Sequence, residues 1–269
     1  MRQSIFDIEN RLDINIEFGR FVETLNQRDT IIYDCKYMSL FSFFDNYVFH
    51  IWPYRDTFID LKSYLEHIGI SNSIYGGYQA IDEVSFLNFV ELLENMMLMV
   101  KRKIGFDNVQ FLNLKTANII KHNIPIILEK MNYESYQEMD KICIRKRDAD
   151  VDSILEIVPA DVSQLLLSYN DIRNNDIESK KAIIKKLDLF IEGNKTTYKS
   201  LNSSTYDSIQ TIVNKMGINH PMLEEPYKSF NSKTLIEWYD KCFKLILHLI
   251  RCDDINKINK ERNQLIGKE

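Results

Sequence analysis

The segment NKMGINHPMLEEPY, residues 214–227, places an asparagine and a histidine side by side, directly before a proline. A histidine titrates near neutral pH and can act as a general acid or base, and a neighbouring amide can orient a phosphate or a nucleobase. Asn219 and His220 are therefore the first residues in the chain that could do chemistry. The same segment could also end a helix, because Gly217 suits a left-handed C-cap position and Pro221 blocks continuation.

The helix-stop interpretation makes a specific structural prediction. If Gly217 adopts the left-handed conformation just beyond the helix, Ile218 should pack on Val213, as in a Schellman motif. This accounts for the glycine, the isoleucine and the proline. It requires neither of the two polar residues between them, so both remain candidates for a functional site.

A second candidate site is a row of basic side chains on the last long predicted helix. A ridge of this kind can contact phosphates, so the sequence offers these residues as candidate RNA contacts, with a solvated helix face as the alternative. Four residues at helical spacing form the row: Lys241, Lys244, His248 and Arg251.

Several well-known catalytic and ligand-binding motifs do not occur in the sequence, among them GxGxxG, GxxxxGK[ST], HExxH, GxSxG and the EF-hand loop. The four cysteines are scattered without a CxxC pair, which argues against a zinc cluster and a disulfide framework. Dinucleotide enzymes, P-loop ATPases and helical zinc proteases are thereby excluded, and we expect neither a cofactor nor a metal.

An aromatic group in the first part of the chain could line a small-ligand pocket, since helical bundles can hold such pockets. Packing in a hydrophobic core is the better explanation for most of these residues. The group comprises Tyr33, Tyr37, Phe41, Trp52, Tyr54 and Arg55.

Composition and charge restrict the class of protein. The 269 residues are 45% hydrophobic, enough for a substantial core, and only 8 glycines and 5 prolines interrupt them, which favours long helices. Residues 1–100 contain 7 Lys and Arg against 15 Asp and Glu, whereas residues 101–269 contain 27 against 24. The second part is mildly basic, which would suit an RNA partner but falls well short of a concentrated basic footprint.

Neither a signal peptide nor a membrane helix is predicted. Charged residues interrupt every apolar pair at the start of the sequence, and the most apolar run, FKLILHLI, is far shorter than the roughly 20 residues that a membrane helix needs. A cytoplasmic protein without membrane contact is the expectation.

Apolar residues recur at helical spacing along almost the whole chain, and no convincing strand alternation interrupts them. The densely charged segment CIRKRDADVD, residues 143–152, is the best candidate for a linker. We therefore predict an all-α fold of antiparallel helix bundles in two packed helical subdomains, 1–144 and 145–269. Helices are expected over residues 4–27, 31–52, 56–67, 82–100, 107–135 with a break at Pro125, 152–158, 160–169, 176–191, 205–216 and 232–250. Asp82 and Ser232 are the expected N-caps of their helices, and Asp176 is expected to start its helix.

The order of three segments in the second half, LLLSYNDIRNNDIESKKAIIKKL, NKMGINHP and EWYDKCFKLIL, resembles the C-terminal region of bacterial abortive-infection (phage-defence) proteins with a HEPN-type helical domain. The resemblance covers about residues 150–250. It implies an all-α bundle that is often paired into a homodimer. In active members it also implies metal-independent RNA cleavage by an arginine and a histidine spaced R-x(4 to 6)-H, in which the arginine stabilises phosphate charge and the histidine moves protons.

The sequence departs from that pattern at the arginine. No arginine in the chain precedes a histidine at this spacing: Arg173 has a suitable following asparagine but no histidine, and Asn219 stands where the resemblance expects an arginine beside His220. An amide supplies neither a permanent positive charge nor a forked set of donors. The expected function is that of a non-catalytic or degenerate HEPN-like protein of phage defence that acts through protein or RNA binding. The alternative is an endoribonuclease of abortive-infection or toxin type that uses His220, Arg173 and Asn219.

Overall fold

The computed structural model describes residues 12–28, 30–70, 74, 80–105, 108–111, 119–220, 223 and 227–267. The chain separates into two compact units, residues 1–146 and 147–269. Both are largely helical. None of the helices in these described stretches has the length and apolar composition needed to cross a bilayer.

The elements of the first unit are α1 (Ile14–Asn26), β1 (Ile31–Tyr33), β2 (Lys36–Met38), α2 (Leu40–Phe43, continued by irregular helical turns to Ile51), α3 (Leu61–His67), α4 (Glu83–Met99), β3 (Gln110–Phe111), α5 (Ile124–Lys130), β4 (Tyr133–Glu138) and β5 (Lys141–Lys146). Helices α1, α3 and α4 each begin after an aspartate whose side chain accepts hydrogen bonds from backbone N–H groups of the first turn. Asp82 is one of these caps, as the sequence predicted.

Two small antiparallel sheets in this unit were not predicted from the sequence. The first has the strand order β2-β1-β3, and the second is the hairpin of β4 and β5. The first hairpin turns at Asp34 and Cys35, which both have positive φ, as a tight hairpin turn requires. Residues 31–38 therefore form a hairpin instead of the start of a helix. The first four residues of the expected linker, 143–146, belong to β5.

The core of the first unit is rich in aromatic rings. Phe18 and Phe21 of α1 pack against Phe89 of α4, with ring centroids 5.1 and 6.2 Å apart. Tyr33 contacts the rings of Phe43 and Tyr47 at 5.1 and 5.0 Å in edge-on geometry. Trp52, another member of the candidate ligand-binding group, is likewise buried. Core packing thus accounts for Tyr33 and Trp52.

The helices of the second unit are α6 (Ala149–Asp152), α7 (Ala160–Tyr169), α8 (Ile177–Gly193), α9 (Lys195–Leu201), α10 (Ser203–Lys215) and α11 (Ser232–Leu265), with a 3₁₀ turn at Tyr227–Ser229. The long helix α11 packs against α8, α9 and α10. Asp176, predicted to start a helix, caps α8, and Asn231 instead of Ser232 caps α11. Their apolar faces form a single buried cluster.

Candidate functional site

The segment after α10 ends the helix as the sequence predicted. Gly217 has a φ of 80°, which favours glycine, and an added Cβ there would lie 3.3 Å from Cδ2 of Leu223. Ile218 is buried in the same cluster as Val213. The closing hydrogen bond comes from the backbone N–H of Asn219, which donates to the Val213 carbonyl at 3.0 Å. The polar residue after Ile218 therefore contributes to the helix stop through its backbone.

Two further contacts hold the start of this segment against the bundle. Met216 pairs with Leu223 in an isolated antiparallel bridge. The hydroxyl of Tyr239, on α11, donates a hydrogen bond of 2.8 Å to the Met216 carbonyl. Pro221, the other residue of the predicted stop, lies outside the described residues.

The side chain of Asn219 belongs to a hydrogen-bond network around a buried carboxylate. Its amide donates to Oδ2 of Asp188, on α8, at 3.3 Å and to Oδ1 of Asn214 at 3.4 Å. Gln210, on α10, donates to the other carboxylate oxygen, Oδ1, at 2.8 Å. Asp188 is only 1% exposed, so two amide side chains supply donors to a carboxylate that is shielded from water. We call these residues, Asp188, Gln210, Asn214 and Asn219, the Asp188 network.

Burial has a predictable effect on the charge of this carboxylate. Desolvation raises the pKa of Asp188 above its ordinary value, while the hydrogen bonds from Asn219 and Gln210 act in the opposite direction. Burial also raises the pKa of the Cys242 thiol, and the charge of Asp188 adds to this effect. Asn219 therefore stabilises a carboxylate inside the second unit, and its amide donates within the protein instead of to an external phosphate.

His220 differs from Asn219 in its exposure and in its contacts. Its side chain is exposed, and within the described part of the chain it makes no hydrogen bond or ion pair. Its imidazole is accessible to solvent and thus to a macromolecular partner.

The Arg173 side chain pairs with the carboxylate of Asp171. Its Nε and Nη2 atoms donate to the two carboxylate oxygens of Asp171 at 3.0 and 2.8 Å, and its backbone N–H also donates to the same side chain at 2.8 Å. In the described residues, no hydrogen bond or ion pair joins Arg173 to Asn219 or His220. No contact of this kind therefore joins the three residues predicted to form the catalytic set: Arg173 pairs with Asp171, and Asn219 donates to Asp188.

The basic row on α11 is present as a row of exposed side chains, Lys241, Lys244, His248 and Arg251, which we call the α11 ridge. Its members are partly engaged within the protein. The Lys241 ammonium lies 4.3 Å from the ring centroid of Trp238, and Arg251 donates to the Ser153 carbonyl at 3.1 Å and lies 3.6 Å from a carboxylate oxygen of Asp254. Residues 147–269 contain 18 Lys and Arg against 19 Asp and Glu. The ridge is therefore a local positive feature on a unit with almost no net charge.

A charged cluster that sequence reasoning missed links three helices of the same unit. Lys180, on α8, is almost fully buried, and its ammonium lies 2.7 Å from Oδ1 of Asp240 and 4.2 Å from the ring centroid of Tyr169. The Tyr169 hydroxyl donates to the same carboxylate oxygen at 2.9 Å. Lys180 and Asp240 are 60 residues apart, so no local pattern could have paired them.

The comparisons with known proteins add no family to this description. No family model matches the chain, and neither a curated protein nor a solved structure is significantly similar to it.

Proposed function

We propose that this chain is a degenerate, non-catalytic HEPN-like protein of bacterial phage defence and that its second unit acts by binding a partner. The family and the biological setting rest on the order of the three sequence segments. The proposal that the protein binds a partner instead of cleaving RNA rests on the contacts of Asn219 and Arg173 and on the exposed α11 ridge.

The main support for a non-catalytic protein is the hydrogen bonding of the Asn219 side chain. A ribonuclease of this type needs a positive charge beside the histidine to stabilise the phosphate in the transition state. The side chain at that position is a neutral amide that donates to the buried carboxylate of Asp188. Arg173, the other candidate for the positive charge, already makes two charge-assisted hydrogen bonds to Asp171.

The α11 ridge is the surface that we propose for the partner. Its four exposed side chains lie on one helix, and a rigid helix face is a common recognition surface. We favour a protein partner over RNA because residues 147–269 carry almost no net charge, whereas dedicated RNA binders concentrate positive charge. RNA contact by Lys241, Lys244, His248 and Arg251 is the competing prediction, and it would weaken steeply with added salt.

An endoribonuclease is the second candidate function, and one observation favours it. The His220 imidazole is exposed and makes no hydrogen bond within the described part of the chain, so it is available to take or give a proton. This candidate requires that the positive charge come from a residue other than Asn219.

The test is expression in bacteria of the wild-type protein, His220→Ala and Arg173→Ala, with growth and total RNA integrity measured with and without phage. His122→Ala is the matched control, since it removes an exposed histidine that belongs to neither candidate site. We expect intact RNA in every case. RNA breakage that His220→Ala abolishes and His122→Ala preserves would overturn the non-catalytic proposal in favour of the nuclease.

A further inference from the structure

A pocket of about 660 Å³ lies between α10 and α11 in the second unit. This volume is within the range of pockets that hold small organic ligands. We propose that this α10–α11 pocket binds a planar aromatic molecule that carries one anionic group, such as an aromatic carboxylate or sulfonate. The pocket shares Lys241 and Lys244 with the α11 ridge, but the proposal does not rest on the binding function proposed above. Its lining consists of Asp207, Ser208, Thr211, Ile212, Met216, Tyr227, Trp238, Lys241, Lys244 and Leu245.

The apolar part of the pocket suits a flat ring system. Ile212 and Met216 are buried, and Trp238 and Leu245 are half-buried, so they present apolar surface from both helices. Tyr227 adds a second aromatic side chain, also half-buried. Aromatic rings stack or pack edge-on with other rings, and this adds to the free energy from apolar area alone.

The charged part of the pocket selects an anion. Lys241 and Lys244 are exposed, and within the described residues neither ammonium forms an ion pair. Asp207 is the only carboxylate among the residues known to line the pocket, and it faces the ammonium of Lys199 at 3.5 Å. Because Asp207 is already paired with Lys199, the charges of Lys241 and Lys244 leave the rim of the pocket positive.

The position of Lys241 also suits an anion beside a ring. Its ammonium lies 4.3 Å from the Trp238 ring centroid, held there by a cation–π interaction. A ligand whose ring packs beside Trp238 would bring its anionic group within reach of this ammonium. Such a ligand would also touch Met216 and Tyr227, which lie on either side of the segment that carries Asn219 and His220.

The test compares two fluorescent probes that share one ring system. 1-Anilinonaphthalene-8-sulfonate carries an anionic group, and N-phenyl-1-naphthylamine is the same molecule without it. The chain has two tryptophans, so Trp52→Phe leaves Trp238 as the only intrinsic reporter. We expect the sulfonate to bind with 1:1 stoichiometry and to quench Trp238 fluorescence, and the neutral probe to bind at least five-fold more weakly.

Three pocket variants and one control variant locate the site. We expect Lys241→Gln and Lys244→Gln each to weaken the sulfonate about five-fold, as loss of one exposed ion pair does, and to leave the neutral probe within about two-fold. Lys233→Gln, on the same helix but outside the pocket lining, should change neither. Ser208→Phe, which fills the pocket from α10, should abolish the quenching of Trp238.

Three results would overturn the proposal. They are no binding of the sulfonate, equal affinity for the two probes with no effect of either pocket lysine, and sulfonate binding that survives Ser208→Phe. Circular dichroism of each variant tests whether the fold is retained. We expect that it is, because Ser208, Lys233, Lys241 and Lys244 are all exposed.

Discussion

Replacing Asn219 with alanine tests the role that the structure gives to this residue. The change removes the amide that donates to Oδ2 of Asp188 at 3.3 Å and leaves the donation from Gln210 at 2.8 Å. A hydrogen bond to a charged group contributes about 1.5–3 kcal/mol to stability, and the long distance places this one at the lower end. We therefore expect Asn219→Ala to lower the free energy of unfolding by about 1.5 kcal/mol near pH 7.5.

The loss should depend on pH in a defined direction. Burial raises the pKa of Asp188 in the folded state, so the stability associated with this group is fully present below its unfolded pKa and is lost as the pH rises through the folded pKa. Asn219 reduces that loss because it stabilises the ionised form. The cost of Asn219→Ala should therefore be largest at neutral pH and fall to roughly half in acid, where a neutral carboxyl forms weaker hydrogen bonds.

Urea unfolding of the second unit, followed by Trp238 fluorescence in the Trp52→Phe background, measures this cost from pH 7.5 down to the lowest pH at which the protein stays folded. In an Asp188→Asn background the pH dependence should disappear. His220→Ala, which removes the exposed neighbouring side chain, should change stability by less than about 0.5 kcal/mol. A cost for Asn219→Ala that is the same at every pH and in both backgrounds would refute the reasoning.

Two other predictions concern the same unit and use the same unfolding assay. Gly217→Ala should cost about 1–2 kcal/mol because its φ of 80° is strained for alanine, whereas Gly193→Ala, where an added Cβ meets no described atom within 4 Å, should be neutral or slightly stabilising. Asp240→Ala should cost about 2 kcal/mol because it leaves the Lys180 ammonium buried without its carboxylate, and Lys180→Met should cost less because it removes that charge. Equal costs within either pair would contradict the argument for that pair.

Local signals in the sequence predicted the helices well where they were strong. Aspartate caps at Asp82 and Asp176 marked the starts of α4 and α8, and Pro159 marked the start of α7. A cap and the residues it serves are only three positions apart, so one short window contains the whole interaction. Interactions of this range can be predicted from a single sequence.

The strands and the role of Asn219 could not be predicted in this way because their partners are distant in the chain. Ile31 in β1 pairs with Met38 and also with Phe111, and the helical spacing of nearby aromatic residues concealed the hairpin. Asn219 owes its role to Asp188, which lies 31 residues earlier on another helix. The sequence indicated that Asn219 occupies an unusual position but could not show that its amide donates to the Asp188 carboxylate.

Helix α11 spans 34 residues, or about 51 Å, but its buried residues end at Ile250. Beyond that point Arg251 still donates to the Ser153 carbonyl, and the turns that follow contain pairs within the helix, such as the Lys257–Asp253 ion pair at 2.8 Å, which contribute only a few tenths of a kcal/mol each. One continuous helix therefore comprises two regions of very different local stability. Backbone amides before Ile250 should exchange with solvent deuterium only when the unit unfolds, whereas those near its C-terminal end should exchange by local fraying.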